Sequence, residues 1–480
     1  MGNAADPPTA RRSPVRDWAL VAAMTVAANL TPVLIGLAVL AALVIFRDWV
    51  PLVWIALPVI GFAVIGTVTR RPRLRGHAVR PAAEPELATL VRQVAERIGF
   101  RFPLLVRIVA EPDVGVLRTK SAGFRTFTVF LGLPLARRLT GAELAAVLAR
   151  EFAYQQHAGD RRTRLLLGAR DSLLESIEGR FRAPAAVVER LLRASQARTW
   201  PLALAADADA AAVAGTSAVR DALTRLGTVS EAFDLLGETS AEVLDEDGAY
   251  PEDLYEALDA LLADPYVAPR LAAAAADDDL PMAIALAPPL AVRLAALPEH
   301  PGLGWDAGAP VPLRDADGLR RWCVRELVSS EDGPDGLRPV RLLDLEPERF
   351  EVGLREAAAH LVEVTGQDSV RGAVAVAADA VADGSWVRLA RAIDPEIGKV
   401  PRPMRAVAGR DVLVDCLGRV VAGALLDAGW SRASRWTARV LLGPAGAPLD
   451  VEALVRHAVD SANPAGIREL LPTFDERAVR

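Results

Sequence analysis

The chain contains few of the residues that cross-link proteins or bind structural metals. Among its 480 residues are two cysteines, Cys323 and Cys416, which lie far apart and outside any C-x-x-C motif. This spacing excludes a disulfide framework and a zinc knuckle, and it is typical of buried, reduced thiols. The sequence also has no glycine-rich phosphate loop, G-x-S-x-G turn or Cys/His nucleophile pair. The common signatures of nucleotide-binding proteins and of serine or cysteine hydrolases are therefore missing.

Lysine is almost absent, and arginine supplies nearly all of the positive charge. Lys120 and Lys399 are the only lysines, and the formal net charge is −6 with a pI of about 5.6. This acidic balance gives no sign of a nucleic-acid-binding surface, so no nucleic-acid partner is expected. The alanine- and arginine-rich composition suggests a high-GC bacterial genome. A chain of 480 residues is long enough for two or three domains.

Charged residues are missing from two long stretches near the N-terminus. The runs 18–46 and 49–69 contain none, and two charged residues separate them. Because about 20 apolar residues cross a bilayer, both runs qualify as transmembrane helices, joined in a tight hairpin over residues 18–69. A signal peptide is the alternative, since arginines precede the first run. That run is too long for a signal peptide, however, and a second one follows it.

Arginines flank both ends of the predicted hairpin. Three precede it and five follow it, namely Arg11, Arg12, Arg16, Arg70, Arg71, Arg73, Arg75 and Arg80. Positively charged flanks of membrane helices stay in the cytoplasm, which places the N-terminal tail (residues 1–17) and the large body after the hairpin there. We therefore expect a multi-pass protein of the bacterial cell membrane whose main body is cytoplasmic.

A helix in this body carries part of a zinc-peptidase motif. Thr140 and Glu143 form a T-x-x-E capping box, which predicts that a helix begins at this point. The sequence then reads R-E-F-A-Y from Arg150 to Tyr154. In an H-E-x-x-H helix, two histidines bind Zn²⁺ and the glutamate between them activates the metal-bound water. Here Glu151 is kept, whereas Arg150 and Tyr154 stand in the two histidine positions.

Neither replacement is suited to binding zinc. A guanidinium group stays cationic and repels a divalent metal, and a phenol is neutral at pH 7. Glu151 shares a helical face with Leu144, Val147 and Leu148, so its side chain points with the apolar residues. A carboxylate on the core face is costly unless it is paired, which indicates that Glu151 belongs to a retained site.

Two segments near this helix have the alternating pattern of β-strands. They are Leu104–Val109 and Thr126–Leu133. We expect the second to supply a sheet edge beside the helix, with Thr126, Thr128 and Phe130 along it. Such an edge can bind an extended polypeptide by strand addition.

The order of these elements resembles the HtpX and CAAX prenyl protease family of membrane-embedded zinc peptidases. The resemblance covers roughly residues 80–297 and rests on an L-G-L-P-L strand end, the L-T-x-x-E-L helix start and the altered H-E-x-x-H motif. It implies a zincin-like α+β domain, which here is mainly α with a small β-sheet. The family's third ligand is a glutamate four residues before an aspartate, and the matching positions are Ala203 and Asp207. Residues 288–294 (PPLAVRL) match the family's P-P-L-x-x-R-I segment.

All three ligand positions that the resemblance implies, Arg150, Tyr154 and Ala203, carry residues other than zinc ligands. The expected protein is therefore a membrane-anchored, catalytically inactive metallopeptidase-like protein, a pseudoprotease, without metal or other cofactor. His157 and Asp207 are expected to support the former ligand positions. The expected role is binding or scaffolding, with a polypeptide or a membrane protein as partner.

An active membrane metalloendopeptidase with non-standard ligands is the alternative. Glu151 would then act as the general base, and zinc would be the cofactor. The donors nearest in the sequence are Glu151, His157, Asp160, Asp207 and Asp209.

A polar segment broken by glycine and proline, residues 329–336, predicts a domain boundary. The peptidase-like domain would span residues 80–328, and a C-terminal, mainly helical domain would span 337–480. Its expected elements are helices over 350–364 and 408–430 and a strand over 436–442. Its aromatic and arginine side chains form either a recognition face or part of the core, and they are Trp430, Arg432, Arg435 and Trp436.

Overall fold

The computed structural model describes residues 14–28, 74–121, 124–175, 185–244, 248–276, 285–302, 304–328, 337–347, 349, 353–398, 400 and 405–474. Helices make up most of this part of the chain, and its strands form small sheets. The expectation of a mainly α protein with a small β content is confirmed. Two large hydrophobic cores and one smaller cluster organise the described residues.

The candidate site lies on a helix that packs against the largest sheet. Its strands are β1 (His77–Val79), β2 (Leu104–Val109), β3 (Val114–Ser121) and β4 (Phe124–Gly132). They lie in the order β1-β2-β4-β3, with β4 parallel to β2 and antiparallel to β3. The two predicted strands are present as β2 and β4, whereas β3 has no counterpart among the predicted elements.

Three helices surround this sheet and share its core. They are α2 (Pro85–Arg97), α3 (Leu133–Arg138) and α4 (Gly141–His157). Proline in the first turn of α2 fits the helix start, because its missing N–H would have no partner there. Leu90 of α2 and Leu148 and Phe152 of α4 are buried with Val129 and Leu131 of β4. The core therefore holds α4 against the sheet.

Three long helices come next, namely α5 (Arg161–Glu175), α6 (Ala185–Ala214) and α7 (Thr216–Leu244), and α6 packs against α4. The end of α6 and α7 belong to the first core, whereas the buried side chains of α5 belong to the smaller cluster. Gly215 joins α6 to α7 with a φ of +98°, and a Cβ atom there would lie 2.7 Å from Cα of Gly302. Only glycine fits this turn without strain. The remaining helices of this part are α8 (Leu254–Ala263), α9 (Ala268–Ala276), α10 (Leu290–Ala295) and α11 (Ala316–Val328).

The N-terminal helix α1 (Pro14–Ala28) packs against α5 and α6. Its Met24 is buried in the smaller cluster with Leu173 and Leu192. Among the residues that the structure describes, no helix is both long enough and apolar enough to span a membrane. The described helices thus give no support to the predicted hairpin over 18–69, and residues 29–73, which contain most of it, lie outside the described residues.

The chain after the predicted domain boundary first packs with the first core. β6 (Arg338–Val340) pairs in parallel with β5 (Ala249–Pro251). Leu342 is fully buried in the first core, and its backbone N–H donates to Asp253 at 2.7 Å. The second core therefore begins later than residue 337.

The second core consists mainly of helices, in agreement with the predicted C-terminal helices. They are α12 (Leu354–Thr365), α13 (Val370–Ala382), α14 (Trp386–Ile393), α15 (Arg405–Asp427), α16 (Val451–Ser461) and α17 (Ala465–Leu470). An antiparallel sheet of β7 (Ser431–Ser434), β8 (Thr437–Leu442) and β9 (Pro448–Asp450) completes it. Trp436 is buried in the first core, and Arg435 donates to the carbonyl oxygens of Leu342 and Leu345. These two side chains thus take part in packing between the cores.

Candidate functional site

The helix that carries the motif begins where the capping box predicts. The Thr140 hydroxyl accepts a hydrogen bond from the backbone N–H of Glu143, and Glu143 accepts one from the N–H of Thr140 at 2.8 Å. Arg225 of α7 also donates to the Glu143 carboxylate, at 2.9 Å. The first turn of α4 is therefore fixed both by its own cap and by a neighbouring helix.

A buried network of opposite charges lies where α4, α6 and α10 meet. Arg150 donates from Nε to Oδ1 of Asp207 at 3.0 Å, and its Nη1 forms an ion pair with Glu151. Arg293 donates to Asp207 through two nitrogens, at 2.8 and 2.9 Å. Two guanidinium groups thus hold one carboxylate that is almost inaccessible to water.

The two other expected ligand positions offer no metal donor. The Tyr154 hydroxyl is buried and has no hydrogen-bond partner among the described residues. Ala203 is fully buried and presents only a methyl group. Among the predicted site residues, Arg150 contacts both Glu151 and Asp207 directly.

The charges of the network follow from burial and from mutual contact. Burial raises the pKa of Glu151, and the neighbouring Arg150 only partly offsets this effect. Burial would lower the pKa of Arg150, but Glu151 and Asp207 outweigh it, so the net pKa is raised. Burial also raises the pKa of Tyr154 to about 12. At neutral pH Arg150 is therefore a cation and Tyr154 a neutral phenol.

These residues do not fit a zinc ion. A guanidinium cation stands in one ligand position, a neutral phenol in the second and an alanine in the third. Within the described ranges, no group of three or more His, Cys, Asp or Glu side chains is arranged to hold a metal ion.

The donors of the alternative site are engaged in different places. His157 contacts the exposed carboxylate of Asp209 at 2.7 Å rather than the Arg150 network. Asp160 accepts hydrogen bonds from the backbone N–H groups of Arg162 and Thr163 at the start of α5. His157 is therefore paired outside the Arg150 network, whereas Asp207 contacts Arg150, one of the expected ligand positions, directly.

Arg293 is the member of the network that the site prediction omits. It lies in the P-P-L-A-V-R-L segment that carries part of the family resemblance, which is the signal that could have identified it. It contacts Asp207 although the two residues are 86 positions apart in the chain.

The predicted polypeptide-binding edge lies inside the sheet. β4 pairs with β2 and β3 over Phe127–Leu131, so Thr128 and Phe130 are not on a free edge, and Thr126 pairs with Thr119 of β3. The hydroxyl groups of Thr126 and Thr128 instead contact that of Thr119 on β3, at 2.9 and 3.1 Å. The edge of the sheet nearest to α4 belongs to β3.

On its free side, β3 accepts a hydrogen bond from a side chain of α4. Gln155 donates from Nε2 to the backbone carbonyl oxygen of Val116 at 2.7 Å. Gln155 lies one helical turn after Glu151, so both side chains point from the same face of α4. The sequence prediction did not single out Gln155.

Comparisons of the chain with protein-family models, with curated proteins and with solved structures gave no match. The relation to the HtpX and CAAX prenyl protease family therefore stays a resemblance that the motif residues carry.

Proposed function

We propose that the protein is a membrane-anchored, metallopeptidase-like protein that does not catalyse proteolysis and binds an extended polypeptide. The observation that carries this proposal is the Arg150 guanidinium, held by Asp207 at 3.0 Å and by Glu151. In an active peptidase of this kind, the corresponding position would carry a zinc ligand.

The salt bridges give a physical reason for the site to persist without metal. Glu151 and Asp207 are two buried carboxylates that would repel each other without a cation between them. Arg150 and Arg293 supply that positive charge permanently, because a guanidinium group is not deprotonated in proteins. The arrangement favours a rigid binding scaffold over a site that must accept metal and water.

Polypeptide binding by strand addition requires no metal chemistry. An edge strand presents backbone N–H and C=O groups on its unpaired side, and an extended segment can pair with them. We assign this role to β3, because it is the edge strand that lies against the motif helix.

The membrane anchor rests on the two charge-free runs and their arginine flanks. The runs are long enough to span a bilayer, and the flanks favour a cytoplasmic body. The bacterial cell membrane is the proposed location.

Zinc analysis of the purified full-length chain tests the proposal. Replacing the three residues together, Arg150→His, Tyr154→His and Ala203→Glu, removes the cation and supplies three donors with an open fourth position. We expect about one zinc ion per chain in this variant and little in the wild type. The double variant Arg150→His/Tyr154→His, which lacks the third ligand, should hold zinc more weakly.

Two outcomes would contradict the assignment of the site. One is equal zinc content in wild type and triple variant, and the other is a well-folded triple variant that binds none. A protease assay adds an independent check. If wild type cleaves an unfolded substrate and Glu151→Gln abolishes the cleavage, the protein is an active peptidase.

A further inference from the structure

The unpaired side of β3 is already engaged near the middle of the strand. The Gln155 amide reaches from α4 to the Val116 carbonyl oxygen and donates a hydrogen bond of 2.7 Å. The Gly132 N–H donates to the Asp113 carbonyl at 2.7 Å, and hydrogen-bonded pairs alternate along an antiparallel ladder, so Val116 and Val129 form a non-hydrogen-bonded pair and the Val116 carbonyl points away from β4. An added strand in register with β3 would need the same carbonyl oxygen.

The neighbouring glutamine shows that this contact is specific to one position. Gln156 donates to the carbonyl oxygen of Ile98, which ends α2, at 3.2 Å. Two adjacent residues of the same type thus donate to different elements, Gln155 to the sheet and Gln156 to the end of α2. Gln156 is exposed, whereas Gln155 is half-buried between α4 and β3.

We infer that Gln155 is an internal competitor for the polypeptide-binding edge, and that a bound strand must displace its amide from Val116. This inference rests on the proposed polypeptide-binding function. It adds that Gln155 lowers the affinity of the edge for the polypeptide. The Gln155 amide donates the hydrogen bond that a backbone N–H of an added strand would otherwise donate to Val116. Its hydrogen bond satisfies a carbonyl group that would otherwise be left for another chain to bind.

The chemistry of the edge favours as partner an extended segment with an apolar residue opposite Leu117. Val116 faces the core, and Leu117, which points to the other face of the sheet, is exposed. A strand added beside β3 would pair its backbone with that of β3 and cover Leu117 with a side chain of its own. Recognition would therefore depend mainly on backbone N–H groups.

A binding experiment with a defined probe tests the role of Gln155. The probe is a fluorescein-labelled peptide of alternating threonine and valine with a lysine at each end, and binding to the full-length protein in detergent is followed by fluorescence anisotropy. Gln155→Ala removes the competing donor. We expect it to bind the peptide about three- to tenfold more tightly than wild type, which corresponds to one net hydrogen bond.

Matched variants separate the hydrogen bond from a general change in the helix. Gln155→Glu keeps the side-chain length but cannot donate when ionised, so it should also tighten binding. Gln156→Ala removes the same side chain at the neighbouring position and should bind the probe as wild type does. The same peptide with every internal backbone nitrogen methylated cannot donate from either of its edges, and it should bind none of the proteins.

The outcomes distinguish the inference from the function on which it rests. If the unmodified peptide binds all proteins equally and N-methylation abolishes binding, strand addition stands and the role of Gln155 is wrong. If no protein binds the peptide, or if N-methylation has no effect, the proposed polypeptide-binding edge is wrong, and the role of Gln155 with it.

Discussion

Asp207 is the residue on which the buried charge network depends. It accepts hydrogen bonds from Arg150 and from two nitrogens of Arg293 while almost fully shielded from water. Removal of its charge leaves two largely buried guanidinium groups with less compensation. Breaking a buried ion pair from one side is costly, because the remaining charge has no water to solvate it.

We expect Asp207→Asn to lower the free energy of unfolding by about 3–5 kcal/mol, measured by urea denaturation of the full-length chain. Asp209→Asn is the matched control two positions away. The Asp209 side chain is 49% exposed and pairs with His157, so its loss should cost less than about 1 kcal/mol. Equal effects of the two substitutions on the free energy of unfolding would show that the stability of the network does not depend on Asp207.

The residue types of the site could be predicted, but their partners could be predicted only in part. Arg150 and Tyr154 share a helical face because they are four positions apart, and this follows from helix geometry alone. Arg293 reaches Asp207 from a short helix much later in the chain. Nothing local to either residue sets that distance, so the pairing depends on the fold.

At the scale of elements, the start of α4 follows from four residues. The capping box satisfies backbone N–H groups that have no partner inside the helix. We expect Thr140→Ala to reduce the free energy of unfolding by about 1 kcal/mol, while Thr140→Ser, which keeps the hydroxyl acceptor, should stay close to wild type. Thermal or urea unfolding of the three proteins measures the difference. A serine variant as unstable as the alanine variant would argue against the hydroxyl as the cause.

The strands show which elements the alternation of apolar residues can predict and which it cannot. Alternation identifies β2 and β4, because apolar side chains on every second position can be read from the sequence. β3 (VGVLRTKS) carries polar and charged residues toward its end and does not stand out. The order of strands depends on contacts between distant segments, which the alternating pattern does not contain. The sequence therefore predicts β4 as the edge strand, whereas β3 forms the edge in the structure.

At the scale of the whole molecule, an ionic cluster joins the two cores. Glu452 of α16 accepts from Arg270 of α9 at 2.7 Å, from Arg439 at 2.6 Å and from Arg456 at 2.8 Å. Burial alone would raise the pKa of Glu452, but Arg439 and Arg270 outweigh it and lower the pKa to about 2. The ionised carboxylate is therefore stabilised in the folded protein.

This shift predicts how stability depends on pH. Because the folded pKa of about 2 lies below the ordinary value of 4.5, the contribution is fully present above pH 4.5 and is lost as the pH falls toward 2. Its size is on the order of 3 kcal/mol. We expect Glu452→Gln to unfold more easily than wild type at pH 7, with the difference shrinking at low pH. Glu346→Gln, at an exposed position, is the control, and a pH-independent difference for Glu452→Gln would contradict the shift.

The topology can be tested on the whole chain. Because arginines flank both ends of the charge-free runs, reporters fused before Met1 and after Arg480 should both lie in the cytoplasm. A reporter pair that is active on opposite sides of the membrane measures this. An external signal from the C-terminal fusion would overturn the proposed arrangement.

The sequence by itself determined the helical content, the start of α4 and the residue types at Arg150, Tyr154 and Ala203, which are not the usual zinc ligands. These properties depend on side-chain chemistry and on spacings within one helix, which are local. The tertiary structure alone decided that Arg293 joins Asp207, that β3 rather than β4 forms the edge, and that Leu342 packs into the first core. Each of these requires segments far apart in the chain to meet, and such contacts arise from the packing of the whole core.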